Sequence, residues 1–168
     1  MMWRLTTCAV VVGALASSGV AACGTVRPSA TSPSPARAAA SISRSALDGT
    51  WIVTDVTTSS GRRIRVAAQR RADVLQRRPY VKFGEDDTIH GFDAVDEFGG
   101  RFRLVGNQVR TAKMSSTLAG LTDSAPRSLV EIVAAFSPLV VGRPVTVDVR
   151  EGRMKLRAGS YTLAAVKG

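Results

Sequence analysis

A period of two most constrains this chain. Trp51 and Val53, Val81 and Phe83, then Val145, Val147 and Val149, Met154 and Leu156, and finally Tyr161 and Leu163 set apolar side chains at alternate positions in short runs. Successive side chains of a strand point to opposite faces, so each run has one face to bury and one to leave in water. The runs are cut by Ser59-Ser60-Gly61, Gly84-Glu85-Asp86-Asp87, Gly99-Gly100, Gly106-Asn107, Glu151-Gly152 and Gly159, residue types that accept the backbone angles of tight turns. Short strands joined by tight turns predict a mainly β chain built on an antiparallel sheet.

Within that frame, 47–56 reads as a turn feeding a strand, with Trp51 as core anchor and Val53 and Val56 inward. Ile64 and Val66, flanked by Arg62, Arg63 and Arg65, form a second short strand. Residues 67–77 could be helical, though Ala68, Val74 and Leu75 make a thin apolar stripe. Tyr80-Val81-Lys82-Phe83 and Thr88-Ile89-His90-Gly91-Phe92 predict a hairpin. One main helix is predicted near 126–137. Asp123-Ser124-Ala125-Pro126 has the look of a helix start, with a capping side chain and proline in the first turn. Leu129, Ile132, Val133 and Phe136 share a face, and Pro138 ends the helix.

The N-terminus has a different character. Arg4 supplies a positive start, residues 5–16 an apolar stretch with Val10, Val11, Val12 and Leu15, and Ser17, Ser18 and Gly19 a polar end, the layout of an export signal. Val20-Ala21-Ala22-Cys23 then resembles the cleavage and lipidation site of bacterial lipoproteins, with Cys23 as the lipid attachment. Ordinary cleavage after Ala22 and an uncleaved helix are the other two readings. The second needs about 20 apolar residues, and Thr6, Thr7, Ser17 and Ser18 interrupt the stretch. All three place the folding part outside the cytoplasm, and the lipidated form at the extracytoplasmic face of the cell membrane. The predicted organisation is therefore a signal over 1–22, a lipidated Cys23 with a disordered Pro/Ser/Ala tether to 46, and one domain over 47–168.

The formal charge is +10, or +9 once Arg4 leaves with the signal. Such an excess points to nucleic acid, an anionic surface or an acidic protein, and export makes nucleic acid the poorest of these. The densest basic band holds Arg62, Arg63, Arg65, Arg70, Arg71, Arg77 and Arg78 with one acid, Asp73, inside it. Arg70, Arg71, Arg77 and Arg78 are the candidate contacts to anionic lipid, and some of the band can instead pair with the acidic stretch that follows: Glu85, Asp86, Asp87, Asp93, Asp96 and Glu97. Those carboxylates suit calcium in type, but their spacing is not that of an EF-hand, and solvated turns use the same residues. No metal or cofactor is expected.

Catalysis is disfavoured by inventory. Cys8 leaves with the signal and Cys23 takes the lipid, so the domain has no free thiol. The single histidine, His90, beside a turn, lacks the partners of a nucleophile relay or zinc site, and neither Gly-x-Ser-x-Gly nor a phosphate-cradling loop occurs.

Leu47-Asp48-Gly49-Thr50-Trp51, Pro79-Tyr80-Val81-Lys82-Phe83, the run from Gly91 through Ala94-Val95-Asp96 to Gly99-Gly100-Arg101-Phe102, and Ser115-Ser116-Thr117 together resemble the META domain family, the HslJ-like proteins. The family's central segment reads Gly, two residues, Gly-Cys-Asn, three residues, Gly, one residue, aromatic. Gly91, Gly100 and Phe102 keep that frame, whereas Ala94, Val95 and Asp96 replace Gly-Cys-Asn, and no cysteine stands near Leu121. The resemblance implies a small barrel-like antiparallel sheet with one helix, an envelope lipoprotein, and no established catalytic residue. The expected function is a non-catalytic binding or envelope-maintenance module, with the membrane, through its lipid anchor and anionic lipid, or an envelope protein as partner. The rivals are an inhibitor or accessory subunit of an envelope enzyme, and a hydrolase whose site no motif reveals.

Overall fold

The computed structural model describes residues 41–168 apart from Asp73 and Leu118. The signal over 1–22, Cys23 and the tether as far as residue 40 lie outside the described residues. The folded part begins before 47. A helical turn, α1 (Arg44–Leu47), is capped by the Ser43 hydroxyl, which accepts from the Ala46 N–H. Its Leu47 is fully buried. The last residues of the expected tether therefore belong to the domain, because Leu47 in the core carries the preceding turn with it.

Nine strands follow: β1 (Gly49–Thr57), β2 (Arg63–Arg65), β3 (Tyr80–Phe83), β4 (Thr88–Phe92), β5 (Glu97–Val105), β6 (Gln108–Ser116), β7 (Val145–Arg150), β8 (Arg153–Ala158) and β9 (Tyr161–Lys167). Every pairing is antiparallel, and neighbours in sequence pair from β3 to β9. The second edge of β1 pairs with β9, from Trp51↔Lys167 to Thr57↔Thr162, which closes an eight-stranded barrel of β1 and β3 to β9. The first half of β1 takes β3 on its other side and the second half takes β2. Closure removes the open edges that an antiparallel sheet would otherwise expose.

Trp51, Val53 and Val56 are all buried, although 53 and 56 differ by an odd number and strict alternation would put them on opposite faces. The register shift between Val53 and Asp55 resolves this: Val53 faces Ala165, Asp55 faces Ala164, and Thr54 is the extra residue of a bulge. Trp51, Phe83, Ile89, Phe98, Phe102, Met154, Leu156 and Leu163 join one hydrophobic cluster that fills the barrel. The ring of Phe83 meets Phe102 edge-on at 5.0 Å.

Three local expectations change. Gly99 and Gly100 lie inside β5, not at a turn. Opposite them Gly99 pairs with Ser115 and Arg101 with Ala112, so β6 bulges, and a side chain at 100 would meet the Met114 sulfur at 2.5 Å and the Ala112 carbonyl at 2.9 Å. Glycine is there for close approach of β6. The helix expected over 67–77 shortens to α2 (Val66–Arg71), anchored by buried Val66, while Leu75 reaches the core from irregular chain.

The main helix, α3 (Arg127–Val140), starts after Pro126 with no side-chain cap, and Pro138 lies inside its last turn. Proline removes one N–H there, but Leu139 is fully buried and its carbonyl accepts from the Thr111 hydroxyl, which holds the turn closed beyond the proline. Ile132, Ala135, Phe136 and Leu139 form the buried face. β6 and β7 are joined only at Gln108↔Thr146 and Val109↔Val145. The helix that connects these two strands packs over the barrel there, with Phe136 against Phe98 at 5.9 Å.

Candidate functional site

The basic band folds as β2, α2 and the irregular segment that returns to β3. Buried Val66, Leu75 and Pro79 fix this segment to the barrel, and the Pro79 carbonyl accepts from the Val53 N–H at 3.0 Å. With the apolar positions turned inward, the arginines between them have only the outer surface.

Their fates then divide. Arg62 pairs with Glu131 of α3, and Arg63 binds Asp55 at 2.8 Å, which holds the Asp55 carboxyl below the usual carboxylate range. Arg77 binds Glu97 at 3.0 Å and lies 4.5 Å over the ring of Phe92, which it covers on the barrel's outer face. Arg70, Arg71 and Arg78, by contrast, line one shallow hollow of about 290 Å³ with Ala67. Among the described residues none of these three has a carboxylate partner. Of the four candidate contacts, three come together and Arg77 is diverted into the fold. Cys23 lies outside the described residues.

The acidic stretch disperses. Arg44 engages Asp87, Asp86 accepts from the Thr88 hydroxyl at 2.7 Å, and Glu97 is taken by Arg77. Among the described residues no three metal-ligating side chains converge. Asp93 is buried, and its Oδ1 accepts the N–H groups of Val95 at 2.9 Å and Asp96 at 2.8 Å. Asp96 in turn accepts from the Thr117 hydroxyl at 2.9 Å and the Ala119 N–H at 2.8 Å, while the Glu97 N–H donates to the Thr117 hydroxyl at 3.0 Å and the Thr117 N–H to the Glu97 carbonyl at 2.9 Å. Two stretches singled out in the sequence, 91–102 and 115–117, are thus tied together. Between the two aspartates Ala94 has φ +98°, a conformation that favours glycine.

Burial raises the Asp93 carboxyl above its ordinary value, with Asp96 adding to the rise against the backbone donors. A carboxyl whose folded pKa is raised binds its proton more readily folded than unfolded, so this group's cost to stability grows as pH rises through the two pKa values and is complete above the folded one. Asp93→Asn keeps the Oδ1 acceptor and removes the charge. The variant should be more stable than the parent near neutral pH, with the difference shrinking on acidification to pH about 4. Denaturant titrations at the two pH values check this, and a pH-independent difference contradicts it.

His90 is an exposed residue of β4 beside Gly99. It lies on the rim of an outer groove of about 640 Å³ whose floor is Gly99 and Gly100 and whose other rim includes Lys113 and Ser115. Lys113 has φ +52° at the β6 bulge. Sequence reasoning missed this groove because its floor read as a turn.

No family model matches the chain, and a search of curated proteins finds no match. Among solved structures, a protein from Burkholderia xenovorans, determined by NMR, is 15% identical with a TM-score of 0.52, covering 85% of this chain and 97% of its own. A second NMR structure is 19% identical with a TM-score of 0.51, covering 72% and 90%. A lipocalin-like protein from Bacteroides uniformis is 14% identical over 73% of this chain and 99% of its own, at a TM-score of 0.47. At these identities the first two show a shared fold and nothing further, and the third lies too low to add to them.

Proposed function

We propose that this chain is a lipid-anchored envelope protein whose META-like barrel is a non-catalytic binding or maintenance module at the extracytoplasmic face of the cell membrane, with Arg70, Arg71 and Arg78 meeting anionic headgroups. The observation that carries the reading is that those three arginines line one hollow, without a carboxylate partner among the described residues, while Arg62, Arg63 and Arg77 are paired within the fold. Val20-Ala21-Ala22-Cys23 supports the anchor, and an acyl chain combined with a basic patch is the two-signal arrangement that makes attachment persistent.

Two features favour the META-like assignment. The bond from Thr117 to Asp96 unites the segments on which the resemblance rests. Ala94 adopts φ +98° at the position where that family's pattern has glycine.

The full chain carrying Cys23→Ser, which cannot be acylated, isolates the surface term. Each arginine at an anionic surface contributes up to about 1 kcal/mol, so Arg70→Gln/Arg71→Gln/Arg78→Gln should weaken binding to phosphatidylglycerol vesicles on the order of tenfold at low salt. Arg77→Gln should leave it within about twofold, since that guanidinium is already held. Vesicle sedimentation measures both, and equal binding by the triple variant and the parent would remove the proposal.

A further inference from the structure

Away from α2, on the β5–β6 hairpin, the chain sets three more arginines near one another. Arg103 and Arg110 are direct cross-strand partners at exposed, outward positions, which places their Cβ atoms about 4.5–5.5 Å apart. Arg101 is the next outward position of β5, and its partner is Ala112, whose methyl group leaves space between the longer side chains. The resulting hollow, about 440 Å³, is lined by the three arginines and Asp87, with Phe102, Thr111, Ala112 and Gly142 completing it.

Its three arginines outnumber the one lining carboxylate, Asp87. Asp87 is engaged by Arg44, and Arg101 donates to the Asp86 carbonyl at 2.8 Å, a bond that orients the guanidinium without cancelling its charge. Among the described residues none of the three has a carboxylate within 4.0 Å. The C-terminal end of α3 lies close by, through Thr111 and Gly142, and its dipole favours cations. Its last carbonyls, however, already accept from Thr111, Val141 and Arg143. Like charges directly opposite on a ladder destabilise it, and among the described residues neither Arg103 nor Arg110 makes a side-chain bond that offsets this.

We infer that this hollow binds a phosphate monoester or polyphosphate group, held by Arg101, Arg103 and Arg110. Planar guanidinium groups match phosphate oxygens in pairs of parallel hydrogen bonds, and three around one hollow supply the charge, while Ala112 and Gly142 leave room between them. The site is separate from the α2 surface and stands or falls without it.

The test uses the full chain and sodium tripolyphosphate, titrated calorimetrically. Arg103→Gln/Arg110→Gln should weaken binding about tenfold or more while raising the ligand-free Tm by about 1–3 °C, because the facing charges are relieved. Arg153→Gln/Arg157→Gln removes the same charge from exposed positions of β8 and should stay within about twofold of the parent in affinity. Equal loss in both double variants, unaltered binding in the first, or no binding by the parent would overturn the inference. Vesicles containing phosphatidic acid identify the source. If the phosphate belongs to a lipid, Arg103→Gln/Arg110→Gln also loses these vesicles; if it belongs to a soluble molecule, only tripolyphosphate binding falls.

Discussion

Replacing Trp51 with Ala is expected to lower the free energy of unfolding by about 3–5 kcal/mol, a large part of the total stability of a small domain. The indole is 1% exposed, and β1 is paired on both edges at this position, to Val81 of β3 and Lys167 of β9. The surrounding strands therefore cannot close in on the space an alanine leaves. The indole N–H also donates to the Leu47 carbonyl at 2.6 Å, which ties α1 to the barrel. Trp51→Phe separates the two roles: it keeps an aromatic ring but leaves that buried carbonyl without its donor, at a cost of about 1–3 kcal/mol. Denaturant unfolding followed by circular dichroism reads both variants. A loss below about 1 kcal/mol for Trp51→Ala would mean that the indole does not hold the core as described.

Gly91→Ala should cost about 3 kcal/mol even though alanine suits a strand better than glycine. A Cβ at 91 would lie 2.2 Å from Cζ and 2.7 Å from Cε1 of Phe98, and 2.7 Å from the Tyr80 carbonyl oxygen. Phe98 is the direct partner of Gly91 across β4 and β5, and its ring lies over the glycine as it turns inward to reach Phe136. The ring can be trimmed, but the backbone oxygen cannot move without breaking the β3–β4 ladder. Gly91→Ala/Phe98→Leu should therefore be less destabilised than the sum of its single variants by about 1 kcal/mol or more, yet remain below the parent. Strict additivity in the double-mutant cycle would show that the ring is not the obstacle.

These two positions differ in how far sequence alone exposes them. Trp51 stands in an alternating run, and a large apolar residue in such a run points to the core. Gly91 carries no local sign of its role, and only its place in the resemblance to the META domain family singled it out. Gly99 and Gly100 mislead for the same reason: glycine pairs favour turns locally, whereas here a side chain at 99 would meet His90 of β4 and one at 100 would meet β6, both distant in sequence. Pro138 reads as a stop because its cost to a helix is local, while Leu139 and Thr111 act from the core to keep the last turn.

The basic band shows the same division. Seven arginines in seventeen residues of sequence mark a charged surface, but Arg62 meets a glutamate 69 residues away and Arg77 one 20 residues away. The choice between a paired and an available guanidinium was made by the closing of the sheet. The facing of Arg103 and Arg110 likewise depends on the register of the β5–β6 hairpin.

By itself the sequence determined the sheet and its inward faces, because alternation and turn chemistry act between near neighbours and survive in any compact arrangement. The burial of Trp51, Val53, Val81, Phe83, Val147, Met154, Leu156 and Leu163 follows from that pattern. Tertiary structure alone decided how the barrel closes, where a glycine makes room for a ring, and which three arginines gather on each hollow. Those outcomes depend on pairings between distant segments, whose separation is set only when every strand has found its register.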